Sequence, residues 1–262
     1  MKDELITDLK NIGVKSGDTL NLKVSMRSMG NYRAEDLIRA CLKVVGERGT
    51  LVAESFVESY HISMLKEHEV ISGRWTPSYA GAFANAMIFY PGSVRSTHPL
   101  QKFTAVGFRA MDLTLNHTPD SYAYDVLKVM AETGGKNLSI GSKVVGVGTT
   151  HVAIGMLGLK QVIPKEGIYY DDGKLFMRDW AGGCAEGFGN FRYYSKRGKI
   201  GNANSFLTDM RTTLNLELGT LKADPTYFMC GKCINCRYSW EFSTGRFKKI
   251  LLPLFRTYNR LK

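Results

Sequence analysis

The sequence predicts an α/β fold, a sheet covered by helices, and two observations carry that prediction. Along the first half the hydrophobic period switches back and forth between about 3.6 residues and two, the spacings of helix and strand. Glycine or proline punctuates most of these switches. The order that results, helix and strand in alternation, is that of a sheet with covering helices.

Each element has its own reason. Leu5, Ile6, Leu9 and Ile12 fall at helical spacing and Gly13 supplies a stop. After the turn Lys15-Ser16-Gly17-Asp18, Leu20, Leu22 and Val24 alternate with polar residues as on a half-buried strand. Leu37, Ile38, Cys41, Leu42 and Val45 mark one face of a helix that Gly46 ends, and Thr50–Ala53 reads as the next strand. Small residues dominate 79–86, as in a helix packed close to a sheet, and Pro91-Gly92 halts it. Phe103–Gly107 and Leu138–Ile140 read as further short strands. Residues 161–201, rich in Gly, Tyr and charge, predict long loops with short strands. Ala203, Phe206, Leu207, Met210, Leu214, Leu218 and Leu221 predict one helix of about five turns, broken at Asp224-Pro225. The domain reading is therefore an α/β unit over 1–224 and a Cys-rich, basic appendage over 225–262 packed on it.

Composition narrows the function classes. At 44% hydrophobic and 23% charged the chain is an ordinary globular one. No apolar run approaches the 18 residues of a membrane span, and Met1–Leu5 opens no signal-peptide core, so a cytoplasmic location is expected. The net charge of +11 is uneven: residues 1–189 carry 21 Lys and Arg against 20 Asp and Glu, residues 190–262 carry 14 against 4. That asymmetry reads either as a solvated basic face or as a surface that meets an anionic partner. Basic-aromatic RNA-binding motifs and zinc-finger spacing are both missing, so no nucleic-acid partner is expected.

Two stretches resemble the aminoglycoside 3-N-acetyltransferase family, also called the antibiotic N-acetyltransferases. From Gly81 to Gly107 a small-residue helix is followed by P-G-S-V-R-S-T-H-P and a strand ending in glycine. From Gly13 to Phe56 the chain is similar to the family's G-V-x-x-G-D-x-L opening, its V-H-S-S-L-R-S-x-G loop, here Lys23-Val24-Ser25-Met26-Arg27-Ser28-Met29-Gly30, and its V-G-x-x-G-T-L strand. A third match runs from Ile140-Gly141 to His151-Val152-Ala153. The resemblance covers roughly residues 1–160 and implies a central mixed sheet with helices on both faces.

It also implies a reaction, transfer of an acetyl group from acetyl-CoA to an amine on a sugar ring. Such chemistry needs a base for the amine proton, donors for the tetrahedral oxyanion and a slot for the pantetheine arm. By resemblance His151 is the base and His98 a second catalytic candidate. Ser25, Arg27, Ser28, Arg95 and Ser96 are candidates for holding CoA, and Lys23, Glu54 and Asn85 for the acceptor. Each has a plainer alternative: His98, Arg95 and Ser96 tying down a loop, Ser25 and Arg27 serving a turn. The chain departs from the family at four places. Ile154 stands where a Glu would pair with His151, Val147-Gly148 replace Asn-Thr, Lys23 replaces His, and Asn85 replaces Glu.

Cys230-x-x-Cys233-x-x-Cys236, with Cys184 after Gly182-Gly183, offers four sulfurs at the number a tetrahedral structural zinc needs. An iron–sulfur ligand set and unliganded thiols stay open as alternatives, while a reducing compartment disfavours a disulfide. In the tail, Phe247, Ile250, Leu251, Leu252, Leu254 and Phe255 interleave with Arg246, Lys248, Lys249, Arg256 and Arg260, a pattern suited to an anionic membrane surface or to docking on the protein's own core. The resulting expectation is a CoA-dependent N-acyltransferase, for acetyl or another acyl group, acting on an amino sugar. A nucleotide-linked or cell-envelope polysaccharide acceptor, small and anionic, suits the basic C-terminal third better than a polycation. The alternatives are a non-catalytic binding protein on the same fold and a metal-containing polysaccharide enzyme. Membrane contact through the tail and a homodimer stay open.

Overall fold

The structure is a computed structural model, and it describes residues 3–58, 60–61, 71–142, 147–159, 165–166, 168–171, 174–177 and 194–229. In chain order the elements are α1 (Asp3–Ile12), β1 (Thr19–Val24), a 3-10 turn (Met26–Ser28), α2 (Ala34–Val45), β2 (Thr50–Glu54), β3 (Tyr60–His61), β4 (Ile71–Ser72), α3 (Ala82–Phe89), β5 (Val94–Arg95) and β6 (Phe103–Gly107). They continue with α4 (Ala110–Thr114), α5 (Asp125–Glu132), β7 (Lys136–Ile140), α6 (Thr149–Met156), β8 (Lys165–Glu166), β9 (Ile168–Asp171), β10 (Lys174–Met177), β11 (Lys196–Ile200), β12 (Ala203–Asp209) and α7 (Met210–Ala223).

Seven strands form one mixed sheet in the order β11-β12-β7-β1-β2-β6-β5. Its middle is parallel, β1 lying between β2 and β7, and antiparallel strands extend it on both sides. The register Leu20↔Leu51 and Leu22↔Leu138 lines apolar side chains on one face, where they pack with Leu5, Leu9, Leu37, Ile38 and Cys41 of α1 and α2. Burying each such leucine contributes roughly 2 kcal/mol, so this layer holds firmly. The opposite face meets α4, α5, α6 and α7 through Val52, Phe103, Leu127, Met130, Val152 and Leu214. Between these residues that face is polar: Asn21, Asn137 and Ser139 are fully buried there.

Two expectations need correction. The helix read over 79–86 begins only at Ala82, because Ser78–Gly81 is held as a loop by Asn85, whose side chain accepts from Ser78 N at 2.9 Å and donates to Ser78 O at 2.8 Å. The single helix read over 203–221 is a strand followed by a helix, β12 and then α7. Asp209 makes the joint, its carboxylate accepting from Thr212 N at 2.7 Å as an N-cap. No helix among the described residues is long and apolar enough to cross a membrane.

Candidate active site

Strands β1, β2 and β7 end together, and the crevice beyond the carboxyl ends of parallel strands is where α/β folds place their sites. A cleft of about 270 Å³ opens there, lined by Lys23, Ser25, Glu54, Phe83 and Ser142 among others. Lys23 Nζ stands 3.0 Å from Glu54 Oε1, the two side chains 25% and 14% exposed. Asn21 secures the acid from below, donating Nδ2 to the same oxygen at 3.1 Å and to Asn137 Oδ1 at 3.0 Å. The in-register pairing of β1 with β7 puts the two asparagines side by side. Glu54 is thus held by a cation and by a buried amide.

The amino end of α6 stands beside the ion pair. Its N-cap, Gly148, has φ +82, and a Cβ there would lie 2.6 Å from Leu127 Cδ1, 3.4 Å from Glu54 Oε1 and 3.5 Å from Lys23 Nζ. Only glycine lets the helix begin this close to the ion pair. His151, half-buried in the first turn of α6, stacks on Tyr124 with ring centroids 4.4 Å apart and planes 16° from parallel. Its carbonyl accepts from the Tyr122 hydroxyl at 2.7 Å. Tyr124 Oη accepts from Gln101 Nε2 at 2.8 Å. Burial pushes the Tyr124 hydroxyl well above its ordinary pKa, and the charge of nearby Glu54 adds to the effect. Tyr124 thus stacks on the His151 ring and lies within electrostatic reach of Glu54.

Behind α6 lies Glu217 of α7, 1% exposed. The Thr150 hydroxyl donates to its Oε1, and Oε2 is buried with no hydrogen-bond partner among the described residues. Burial raises its pKa to about 7, while Thr149, Thr150 and the charge of Lys23 act in the other direction. On the far side of the cleft, the turn after β1 is pinned to the end of β7. Ser25 N donates to Ile140 O at 2.8 Å, Ser25 and Ser28 share a hydrogen bond of 3.1 Å, and Ser28 Oγ reaches Gly141 O at 3.4 Å. Arg27 projects from this turn with an exposed side chain.

The structure places Lys23, Ser25 and Glu54 on the cleft, with Arg27 and Ser28 on the adjoining turn and His151 three residues beyond Gly148, which abuts the ion pair; the remaining expected residues lie elsewhere. Arg95 is buried away from the cleft, donating to Ser55 Oγ (3.2 Å), Ser55 O (2.6 Å), Arg74 O (2.8 Å) and Thr76 O (2.6 Å). Burial lowers its pKa to about 10. Ser96 Oγ accepts from Phe103 N at 2.9 Å and lies 3.1 Å from His117 Nδ1. His98, 2% exposed, accepts at Nδ1 from Leu100 N and Gln101 N and stacks on His117 at 4.7 Å. These three do not line the cleft; of the two readings, the tied-down loop is the one observed. Asn85 lines a separate surface groove between α2 and α3, its amide engaged with Ser78 and Gly81. Cys184, Cys230, Cys233, Cys236 and the basic tail lie outside the described residues. Three residues of the site escaped sequence reasoning: Asn21, Tyr124 and Glu217. Of these only Glu217 leaves a signal, an acid at the spacing of Leu214 and Leu221 on one helix face.

Residues 22–218 match the family profile described as aminoglycoside 3-N-acetyltransferase. The chain belongs to the aminoglycoside 3-N-acetyltransferase family. It is 30% identical to aminoglycoside N(3)-acetyltransferase IV of a Salmonella species, over 87% of this chain and 90% of that protein. Among solved structures it is similar to a mutant of the aminoglycoside acetyltransferase AAC(3)-IVa in complex with a gentamicin, with TM-score 0.79, 25% identity and coverage of 92% and 96% of the two chains. The CoASH complex of AAC-IIIb shares the fold at TM-score 0.70 and 21% identity, covering 84% and 95%. As a member of the family the chain is an N-acyltransferase. Two of its departures from the family pattern, Lys23 and Gly148, line or abut the ion pair, while Ile154 is buried in the apolar layer with Leu214 and Leu221 and Asn85 lies on the separate groove.

Proposed function

We propose that the chain transfers an acyl group, acetyl in the first instance, from CoA to the amine of a small amino sugar. His151 serves as the base, with the Lys23–Glu54 cleft as the place where thioester and amine meet. The observation that carries this reading is the first turn of α6, which sets His151 on Tyr124 while its amino end abuts Glu54. In the reaction the amine nitrogen attacks the thioester carbonyl, its proton passes to the imidazole, and the C–N bond forms. The C–S bond then breaks and the thiolate takes up the proton as free CoA. The positive amino end of α6 is suited to the oxyanion that forms between these steps. With Ile154 in place of the family's acid, the Tyr124 stack and the Tyr122 hydrogen bond hold the His151 segment. Ser25, Ser28 and Arg27, on the turn beside the cleft, are suited to the pantetheine amides and phosphates.

The acceptor is an anionic amino sugar, nucleotide-linked or belonging to cell-envelope polysaccharide assembly, which the basic C-terminal third suits. The appendage beginning at residue 225 is held to the α/β unit by a structural zinc on Cys184, Cys230, Cys233 and Cys236. Calorimetry with CoA and thiol-release kinetics with acetyl-CoA test the central reading. His151→Ala should lower kcat by roughly a hundred- to ten-thousand-fold with CoA affinity unchanged. Failure of CoA to bind at millimolar concentration refutes the acyl donor, and normal turnover by the variant refutes the base.

A further inference from the structure

We infer that Lys23 selects the acceptor by charge: paired with Glu54, it turns the cleft against polycationic amino sugars and toward one that carries a phosphate or carboxylate next to its amine. The inference deepens the acyltransferase reading and rests on it for the identity of the cleft.

Lys23 and Glu54 are the two charged side chains among the described residues that line the cleft, and they stand 3.0 Å apart. Among the described residues its lining is therefore neutral but sharply dipolar. Neither charge is placed to swing away freely. Glu54 is tethered by Asn21, which is itself tied to Asn137 in the next strand. Lys23 sits in register with Ser139 on β7 and beside Gly148 at the start of α6. Glu217, behind α6, is buried and takes its hydrogen bond from Thr150.

An acceptor with several ammonium groups would have to place one of them on Glu54 with the Lys23 ammonium already at contact distance, and like charges so placed repel strongly. Among the described residues of the lining it would also gain no further anionic partner for its remaining charges. A zwitterionic acceptor faces the opposite situation. Its anionic group takes Lys23, its amine takes Glu54, and the ion pair of the empty cleft is exchanged for two of the same kind. This exchange demands that amine and anion lie close together, as on neighbouring ring carbons. A sugar with its amine beside a glycosyl phosphate meets that demand.

The test uses the full chain, with gentamicin as the polycation and UDP-glucosamine as the zwitterionic probe, each titrated calorimetrically in the presence and absence of CoA. Wild type should bind UDP-glucosamine at least about tenfold more tightly than gentamicin. Lys23→Gln should weaken UDP-glucosamine and tighten gentamicin, each by about tenfold, whereas Lys23→Arg should keep the wild-type order. Equal gentamicin affinity in wild type and Lys23→Gln overturns the inference. So does a loss of UDP-glucosamine binding that is no larger in Lys23→Gln than in Lys23→Arg. Because these readouts are binding constants for the acceptor, a failure of CoA to bind would refute the acyltransferase reading separately.

Discussion

Replacing Glu217 with Gln should make the protein more stable, and increasingly so as pH rises. The carboxyl is 1% exposed, receives one hydrogen bond from Thr150, and has its second oxygen buried without a partner among the described residues. Burial therefore dominates and raises its pKa from an ordinary 4.5 to about 7, against the pull of Thr149, Thr150 and Lys23. A carboxyl that holds its proton more tightly when folded contributes stability that is full below the unfolded pKa and is lost as pH climbs through the folded one. Between 4.5 and 7 the wild type thus forfeits about 3 kcal/mol, at roughly 1.4 kcal/mol per pH unit. Gln keeps the acceptor that Thr150 needs and has nothing to ionise. Urea unfolding of both proteins should show the variant ahead by about 1 kcal/mol at pH 5 and about 3 kcal/mol at pH 8. A difference that is the same at both pH values would refute the reasoning, because it would mean that Glu217 does not titrate in this window.

Lys102 should act in a higher window: 3% exposed and near Arg95, it has its pKa lowered to about 7, chiefly by burial. The unfolded chain then holds the proton more tightly, so wild-type stability should rise between pH 7 and 10.5, and Lys102→Met should flatten that rise by several kcal/mol on the order-of-magnitude scale of buried lysines. Anaerobically purified protein should contain about one zinc per chain, with Cys230→Ser reducing it; elemental analysis without metal removes the Cys184, Cys230, Cys233 and Cys236 site.

What could be read from the sequence depended on which physical signal each segment carries. The apolar layer under α1 and α2 was legible because its strands alternate plainly and glycines mark the ends. β12 was not, because one of its inward positions is Ser205, buried to 1%, so hydrophobicity shows no period of two there. Ala203, Phe206, Leu207 and Met210 meanwhile happen to fall at helical spacing, and the N-cap at Asp209 was the overlooked sign of a boundary. In the site, Lys23 was legible from the family loop, where it stands in place of a His, and Glu54 from its place just after a predicted strand. The Arg95-Ser96-x-His98 motif was equally visible but its meaning was not. A run of polar residues at fixed spacing looks the same whether it binds a ligand or knits a buried loop, and only burial decides. Tyr124 gave no sign at all, since nothing in the sequence puts a ring from the start of α5 beneath one on α6.

The buried polar row explains why the site can be so finely placed and why it costs stability. On the face that meets α1 and α2 the sheet needs only apolar bulk, which tolerates small shifts between layers. On the other face Asn21, Asn137, Ser139, Thr149, Thr150 and Glu217 are all buried, and each must find a partner or stay unsatisfied at a cost of about 1–3 kcal/mol. Asn21 Oδ1, Thr149 Oγ1 and Glu217 Oε2 are not hydrogen-bonded among the described residues. Such a face would be a poor choice for cohesion alone. Its value lies in direction, because hydrogen bonds fix orientation where apolar contacts do not. Asn21 fixes the Glu54 carboxylate from below, and Thr150 with Glu217 fixes the turn of α6 that carries His151. The groups proposed to meet substrate are thus the ones whose supports were bought with unsatisfied polar atoms, as expected where a fold gives up some stability for a preorganised site.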